Sequence, residues 1–352
     1  MNKFGRIAIT GGSGSLGSAL IERLDMSDTV VTFTRDEAKR REMQQRYPHV
    51  KVYAGDVRDR ERMADIFCGC DAVVHAAARK VVSGHWDEPR ELLKTNVEGT
   101  VNVLAAAREA GVKKVLFVSS DKAVHAENAY GVSKAMGEHL VVSENARSYP
   151  KGTACSVLRY GNVIGSRGSV LPLWCSMVNG ALRFSDLHVS IPVTSMEMTR
   201  FWVPMDDAVQ FVRHSLSAMQ GGEVFVPVLR SASMSMLFQC FADSVRDVCG
   251  LECHREEVGV RPGGEKKYEE LLSADEMHRT FRSVVSGHEM MAVLPHDGPD
   301  SWNTRFPEPY SLIPFAIESY RSDTWMFEHT HGSLLPLVKA IVERDVKTEL
   351  AR

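Results

Sequence analysis

Two short runs near the middle of the chain carry side chains that move protons. Ser120-Asp121-Lys122 is followed, nine residues after the aspartate, by Tyr130-Gly131-Val132-Ser133-Lys134. A tyrosine and a lysine four positions apart share one face of a helix. The lysine can bond a ribose and lower the phenol pKa. The phenolate then takes the proton of a substrate hydroxyl while hydride leaves the same carbon. One such base is enough for an oxidation. Asp121 and Lys122 add a second acid and base to the same cleft, so a further step is expected after it. Once C4 of a hexose is a ketone, its C5 proton is acidic. Lys122 can remove that proton, Asp121 can protonate the departing C6 hydroxyl, and the hydride returns to C6. A simple epimerase or reductase would need only the hydroxyl of Ser120. The spacing predicts loss of water, with Asp121, Lys122, Tyr130 and Lys134 as the catalytic residues. The competing readings are a solvated charge pair in a loop and an ordinary surface helix.

Such groups must be held at the carboxyl end of a strand, where ligands bind in open α/β sheets. The first 160 residues supply the strands. Short apolar runs at 6–10, 29–34, 50–54, 72–75, 114–119 and 156–159 are rich in Val and Ile. They are mostly continuous rather than alternating, as strands buried on both faces are. Amphipathic helical patterns lie between them at 15–24, 36–46, 60–67, 89–110 and 130–147. This alternation predicts an α/β fold, a doubly wound parallel sheet with a smaller interleaved substrate-binding cap. Residues 1–165 are expected to form the dinucleotide-binding domain, with a returning segment near 200–226 that brings a seventh strand. Residues 166–352 are expected to form mainly the cap and a terminal helix near 334–344.

The cofactor is legible in the first βα turn. Gly11, Gly14 and Gly17 within Thr10–Gly17 fit a G-x-x-G-x-x-G spacing between a strand and a helix. Glycine permits the tight turn and the close approach of backbone to a pyrophosphate. The helix N-terminus supplies N–H donors and a favourable dipole. Ser13, Ser15 and Leu16 belong to the same turn. The second strand ends at Thr34-Arg35-Asp36, so Thr34 stands where NAD-specific proteins usually carry an acidic residue. Arg35, with Lys39 one turn on, suits a 2′-phosphate, and NADP is therefore favoured over NAD. In the alternative, Arg35 stacks on the adenine and Asp36 binds the ribose. Asp56 and Val57 after the third strand are expected near the adenine. Ala76 and Ala77 after the fourth let the cofactor lie against backbone. His75 and Asn96 read as structural.

Composition excludes several classes. The 42 Lys and Arg against 45 Asp and Glu leave a formal charge of -3, without the basic surplus of a nucleic-acid binder. No apolar stretch approaches about 18 residues, so no membrane partner is expected. The N-terminal residues run straight into a strand and leave no room for a signal peptide, which points to the cytoplasm. The seven cysteines show no zinc spacing, and neither a metal site nor a disulfide is expected.

At this point the motifs carry a resemblance. The chain resembles the inverting UDP-N-acetylglucosamine 4,6-dehydratases of bacterial surface-sugar and pseudaminic acid biosynthesis. These are extended short-chain dehydrogenases related to polysaccharide biosynthesis proteins. The likeness runs from about residue 4 to about residue 325. Its specific parts are Ser120-Asp121-Lys122-Ala123, Gly165-Ser166-Arg167-Gly168-Ser169 and Thr199-Arg200-Phe201-Trp202. Arg159-Tyr160-Gly161-Asn162-Val163 and Arg261-Pro262-Gly263-Gly264-Glu265-Lys266 add to them. The resemblance implies that Lys80 lies near both cofactor and sugar. It implies that Ser120, Asn162, Arg167, Arg200 and Arg261 line a UDP-sugar site, that Glu265 bonds the uridine ribose, and that the protein is a homo-oligomer. Three departures stand out: Ser120 replaces a usual threonine, Gly263-Gly264 holds an extra glycine, and 81–86 differs from the usual Gln-Val-Pro pattern. The rival activities are a UDP-sugar 4-epimerase and a dehydratase releasing a 5,6-ene sugar. A rival from another class is a non-catalytic NADP(H)-sensing Rossmann protein.

Overall fold

A computed structural model of the chain describes residues 4–24, 28–80, 88–148, 152–184, 186–260, 265–285, 288–295, 310–312, 319–324 and 328–350. They form two compact units. The first comprises Met1–Tyr160, Asp206–Val228 and Glu270–Ser319; the second comprises Gly161–Met205, Leu229–Glu269 and Tyr320–Arg352.

The first unit begins with β1 (Arg6–Thr10), α1 (Ser15–Arg23), β2 (Thr29–Thr34), α2 (Glu37–Arg46), β3 (Lys51–Ala54), α3 (Arg60–Phe67) and β4 (Ala72–His75). Next comes α4 (Glu88–Leu92), which runs through a π-helical turn, Leu93–Glu98, into α5 (Gly99–Glu109). Then follow β5 (Lys114–Val118), a 3₁₀ turn at Asp121–Ala123, α6 (Ala129–Ser148) and β6 (Ala154–Leu158). The parallel strands lie in the order β3-β2-β1-β4-β5-β6, and Val224–Pro227 follows β6 as the seventh. This is the doubly wound sheet that the strand-helix alternation implies. Its strands are buried on both faces: Ile7, Ala8, Ile9, Val115 and Leu116 have no exposed surface. Asp36 and Asp59 start α2 and α3 by accepting from the amides of Lys39 (3.1 Å) and Arg62 (3.0 Å).

The two units differ from the domain reading in two places, the first being that residues 161–165, expected in the first domain, fall in the second unit. The second is that residues 270–319 fell in the cap by sequence, but they belong to the first unit. His288–Val293 pairs antiparallel with Val224–Pro227, and Thr280–Val285 pairs with His288–Val293 in turn. Those backbone groups complete the sheet edge left by the seventh strand. The returning segment itself is Asp206–Val228.

The second unit packs three helices, Val170–Arg183, Met234–Cys249 and His331–Leu350, around Trp174, Leu237, Phe241, Leu334, Val338 and Val342. Thr199–Val203 pairs there with Asn162–Val163 on one side and Arg230–Ser233 on the other. All seven cysteines are free thiols. Among the described residues no three His, Cys, Asp or Glu side chains converge as a metal set, and no helix is long and apolar enough to cross a membrane.

Candidate active site

The first βα turn is shaped by its glycines. Gly11 has φ +74°, and a Cβ there would sit 2.9 Å from the Ala77 nitrogen and Cα. At Gly17 a Cβ would fall 2.6 Å from the Gly12 Cα, so α1 rests directly on the turn. The turn closes by a bond from the Gly14 amide to the Gly11 carbonyl (2.8 Å). Gly14 caps α1 without a side-chain acceptor, and no acidic residue lies in the first turn of that helix. The helix end is thus electropositive and uncapped, as an anion site requires.

At the end of β2 the charges collect. Asp36 is used as the cap of α2, with the Lys39 ammonium 3.8 Å from its other oxygen. Arg35 is exposed, 3.5 Å from Asp56, and Arg58 holds the same Asp56 oxygen at 2.7 Å. Hydrogen bonds from Arg58 and the nearby guanidinium charges hold the Asp56 carboxyl below its usual range, outweighing its burial. Val57 is buried against Gly99 and accepts from Asn102 through its carbonyl (3.1 Å), which ties the β3 loop to α5.

His75 is fully enclosed at the end of β4. Its Nδ1 lies 2.8 Å from the Thr10 hydroxyl and its Nε2 3.0 Å from the Thr100 hydroxyl. Burial pushes its pKa down to about 3, with the Lys134 charge adding to the effect. The Ala77 amide donates to the Thr10 hydroxyl (3.0 Å). Asn96 sits in the π-helical turn. Its side chain accepts from the Arg79 amide (2.8 Å) and donates to the Arg79 carbonyl (3.0 Å) and to the Ser133 hydroxyl (2.9 Å). Ser133 in turn donates to the Tyr130 carbonyl (2.7 Å). Lys80, the last described residue of this segment, is exposed.

The residues expected to move protons occupy the carboxyl end of β5 and the start of α6. Asp121 is buried in the 3₁₀ turn. It accepts from the Ser120 hydroxyl (2.6 Å) and from the Lys122 ammonium (3.1 Å) on one oxygen, and its other oxygen has no hydrogen bond. Lys122 keeps 22% of its side chain exposed. Gly131 lets α6 begin against this turn, because a Cβ there would strike the Lys122 carbonyl. Tyr130 is half-buried; desolvation pushes its pKa up to about 12, with the Asp121 charge adding. The Lys122 charge and a Ser120 hydrogen bond pull the other way. Lys134 lies inside the fold, donating to the Val118 carbonyl (2.5 Å) with its ammonium 3.9 Å above the Phe117 ring. Desolvation lowers its pKa to about 7, against the opposing charge of Glu138. The loop joining the two pairs contains His125, a non-glycine residue at φ +43°, whose Nδ1 is 2.6 Å from Glu270.

One cluster beside the site had no role in the sequence reading. Arg159, at the end of β6, makes two bonds to Glu138 (2.6 and 3.1 Å), two to Glu276 (2.9 and 3.0 Å) and one to the Leu271 carbonyl (2.8 Å). Ser119 donates to Glu138 as well (2.5 Å). Both carboxylates are held by this guanidinium, and the Glu276 pKa falls to about 2 despite burial. The available signal was a charged residue ending an otherwise apolar strand.

In the second unit Asn162 begins a two-residue strand, Arg167 is exposed and Glu265 is half-buried. Arg200 is buried. It donates to the carbonyls of Thr199 (2.8 Å) and Lys266 (2.9 Å) and faces Glu265 at 3.6 Å and Glu269 at 3.7 Å. Arg261 lies outside the described residues, as does the 81–86 segment.

A parallel sheet with a glycine cradle after β1 and a Tyr–Lys pair after β5 defines the class as an extended short-chain dehydrogenase fold. The polysaccharide biosynthesis protein family matches residues 7–288, and the chain belongs to it. It is 36% identical over 280 residues to a UDP-N-acetylglucosamine 4,6-dehydratase (inverting) of Campylobacter jejuni, covering 78% of this chain and 79% of that one. It is 38% identical over 299 residues to a UDP-glucose 4-epimerase of Rickettsia felis, covering 81% and 84%. The X-ray structure of Pen from Bacillus thuringiensis superposes with a TM-score of 0.83 at 28% identity, over 97% of this chain and 99% of that one. The fold is also that of DesIV, a dTDP-glucose 4,6-dehydratase of Streptomyces venezuelae with NAD bound. Its TM-score is 0.64 at 19% identity, over 97% and 98% of the two chains. The chain is thus an enzyme of the nucleotide-sugar dehydratase and epimerase class.

Proposed function

We propose that this enzyme is an NADP-dependent UDP-N-acetylglucosamine 4,6-dehydratase that inverts C5, acting in the cytoplasm in surface-polysaccharide or pseudaminic-acid-type sugar biosynthesis. The observation that carries the reading is the Asp121–Lys122 pair, buried at one end and partly exposed at the other, in the turn that leads to Tyr130 and Lys134.

The first unit fits a dinucleotide: side chains at Gly11 and Gly17 would fill the cradle, and α1 begins without a cap. Gly11, Ser13, Gly14, Ser15, Leu16 and Gly17 would hold the pyrophosphate. Arg35 and Lys39 would hold a 2′-phosphate, since Asp36 is engaged as a helix cap. Asp56 and Val57 would border the adenine, and Ala76, Ala77 and Lys80 the nicotinamide half. The bound dinucleotide supplies a hydride acceptor that is also the donor, so it is recycled. Tyr130 takes the proton of the C4 hydroxyl. Lys134 orients the nicotinamide ribose and offsets the burial that keeps Tyr130 a phenol. Lys122 removes the C5 proton, the C6–O bond breaks, and Asp121 protonates the leaving oxygen to give water. Ser120 supports Asp121. With C6 regaining hydride and C5 regaining a proton, the net change is loss of one water. Asn162, Arg167, Arg200, Arg261 and Glu265 are assigned to the UDP-sugar. Exposed Leu93, Val101, Val132 and Met136, from the π turn to α6, support a homo-oligomer.

The test is proton NMR of the purified enzyme with UDP-N-acetylglucosamine in D2O. A C6 methyl, a 4-keto product and deuterium at C5 support the reading, and the couplings report the C5 configuration. Vinyl signals point to a 5,6-ene product, and the absence of turnover on any UDP-sugar points to a dinucleotide sensor. A C4 epimer alone points to a UDP-sugar 4-epimerase, the second reading, favoured by the Rickettsia felis relative. Binding titrations should show NADP+ tighter than NAD+, with Arg35→Ala costing about tenfold for NADP+ alone.

A further inference from the structure

His75 is held between two hydroxyls whose own bonds fix its proton. The Thr100 hydroxyl donates to the Asn96 carbonyl (2.6 Å), so its oxygen can only accept from the imidazole. Nε2 is therefore the protonated nitrogen and Nδ1 the acceptor. The Thr10 hydroxyl donates to Nδ1, which leaves its oxygen to accept the Ala77 amide. One chain of hydrogen bonds, all pointing the same way, runs Ala77 N–H, Thr10, His75, Thr100, Asn96 carbonyl. The Asn96 side chain then grips both backbone groups of Arg79. The segment after β4 is thus pinned at Ala77 by one end of the chain and at Arg79 by the other. Ala77 is also the residue against which Gly11 is wedged.

We propose that His75 is a positioning residue for the dinucleotide: as a neutral imidazole of one tautomer it locks Ala77–Arg79 against the glycine turn. The proposal rests on the reading of that turn as a dinucleotide site. The chain works only while His75 is neutral, because a proton on Nδ1 would oppose the Thr10 hydroxyl. Its enclosure, and the Lys134 ammonium that packs on the same Phe117 ring, favour that state. A structural histidine would need only satisfied nitrogens; this one sets the direction of a chain ending on a cofactor-facing amide.

The full chain, with 15N-labelled histidine, is examined first by long-range proton–nitrogen NMR at pH 7. The expected result is an Nε2-protonated His75; an Nδ1-protonated ring overturns the proposal. Thr100→Val and Thr100→Ser, which alter the hydroxyl on the Nε2 side of His75 and reach Ala77 only through the imidazole, are then compared. Valine should speed hydrogen exchange at the Ala77 amide at least about tenfold and weaken the dinucleotide that binds, NADP+ or NAD+, by about tenfold. Serine, which keeps the hydroxyl, should restore both. If valine lowers only the melting temperature and leaves exchange and affinity unchanged, His75 merely fills the core and the proposal fails. Should Thr100→Val not fold, Thr100→Ala removes the same hydroxyl and is judged by the same readouts. If the wild type binds neither dinucleotide, the cofactor reading fails, while Ala77 exchange still decides the lock.

Discussion

Two clusters of paired opposite charges, one around Arg159 and one at Asp121–Lys122, behave differently. Around Arg159 every donor that bonds finds a carboxylate or carbonyl: Glu138, Glu276 and Leu271 enclose a guanidinium with 4% of its surface exposed. In the turn after β5, Asp121 is buried with one oxygen unbonded, while Lys122 reaches solvent and spends its charge on a neighbour one residue away. The first arrangement leaves nothing for a ligand. The second leaves one buried carboxylate oxygen without a hydrogen bond beside a partly exposed ammonium, the arrangement the proposed chemistry uses. Satisfaction, more than burial, separates scaffold from site here.

The comparison breaks if the two clusters respond alike to mutation. Lys122→Ala should lower the rate of 4-keto sugar formation by about 10²–10⁴-fold with little change in stability, read by NMR turnover and urea unfolding. Arg159→Met should do the reverse in kind: it leaves two carboxylates buried without their cation and should cost about 3–5 kcal/mol in urea unfolding. Lys134 stands between these cases and tests it through pH. Its folded pKa is about 7 against 10.5 when exposed. Between those values the unfolded chain binds the extra proton, so stability should rise from pH 7 towards 10. Lys134→Met, which cannot titrate, should flatten that rise in denaturant midpoints measured from pH 6.5 to 9.5. The smallest effect belongs to a residue in neither cluster. Asp59→Ala removes the cap of α3 and should cost about 1 kcal/mol while leaving turnover untouched.

What the sequence made legible was local. The glycine turn, the six strands and the Tyr130–Lys134 spacing each lie within one or two elements, so periodicity and turn chemistry reveal them. The helix read at 89–110 is real, yet its π-helical turn is not written in any periodicity. That turn brings Asn96 to Arg79 and Ser133, contacts 17 and 37 residues apart. Arg159 was part of a matched motif, but its partners Glu138 and Glu276 are 21 and 117 residues away. Nothing local announces such a pairing. The pair of strands at 280–285 and 288–293 is a plainer omission. Ser286-Gly287, which lies outside the described residues, is a turn signal flanked by Val284, Val285 and His288.

The interrupted course of the first unit also fixes the order in which a new chain can become whole. Leu158 on β6 pairs with Phe225, and the buried Ser156 hydroxyl bonds Glu223, 67 residues further on (2.6 Å). At roughly 5–20 residues per second on a ribosome, those partners emerge several seconds after β6. Throughout that interval β6 is an apolar edge with unpaired backbone groups, the kind of edge that recruits foreign strands. The antiparallel strands at 280–293 come later still. Until residue 227 is made, that edge is a point at which synthesis of this enzyme is exposed to aggregation.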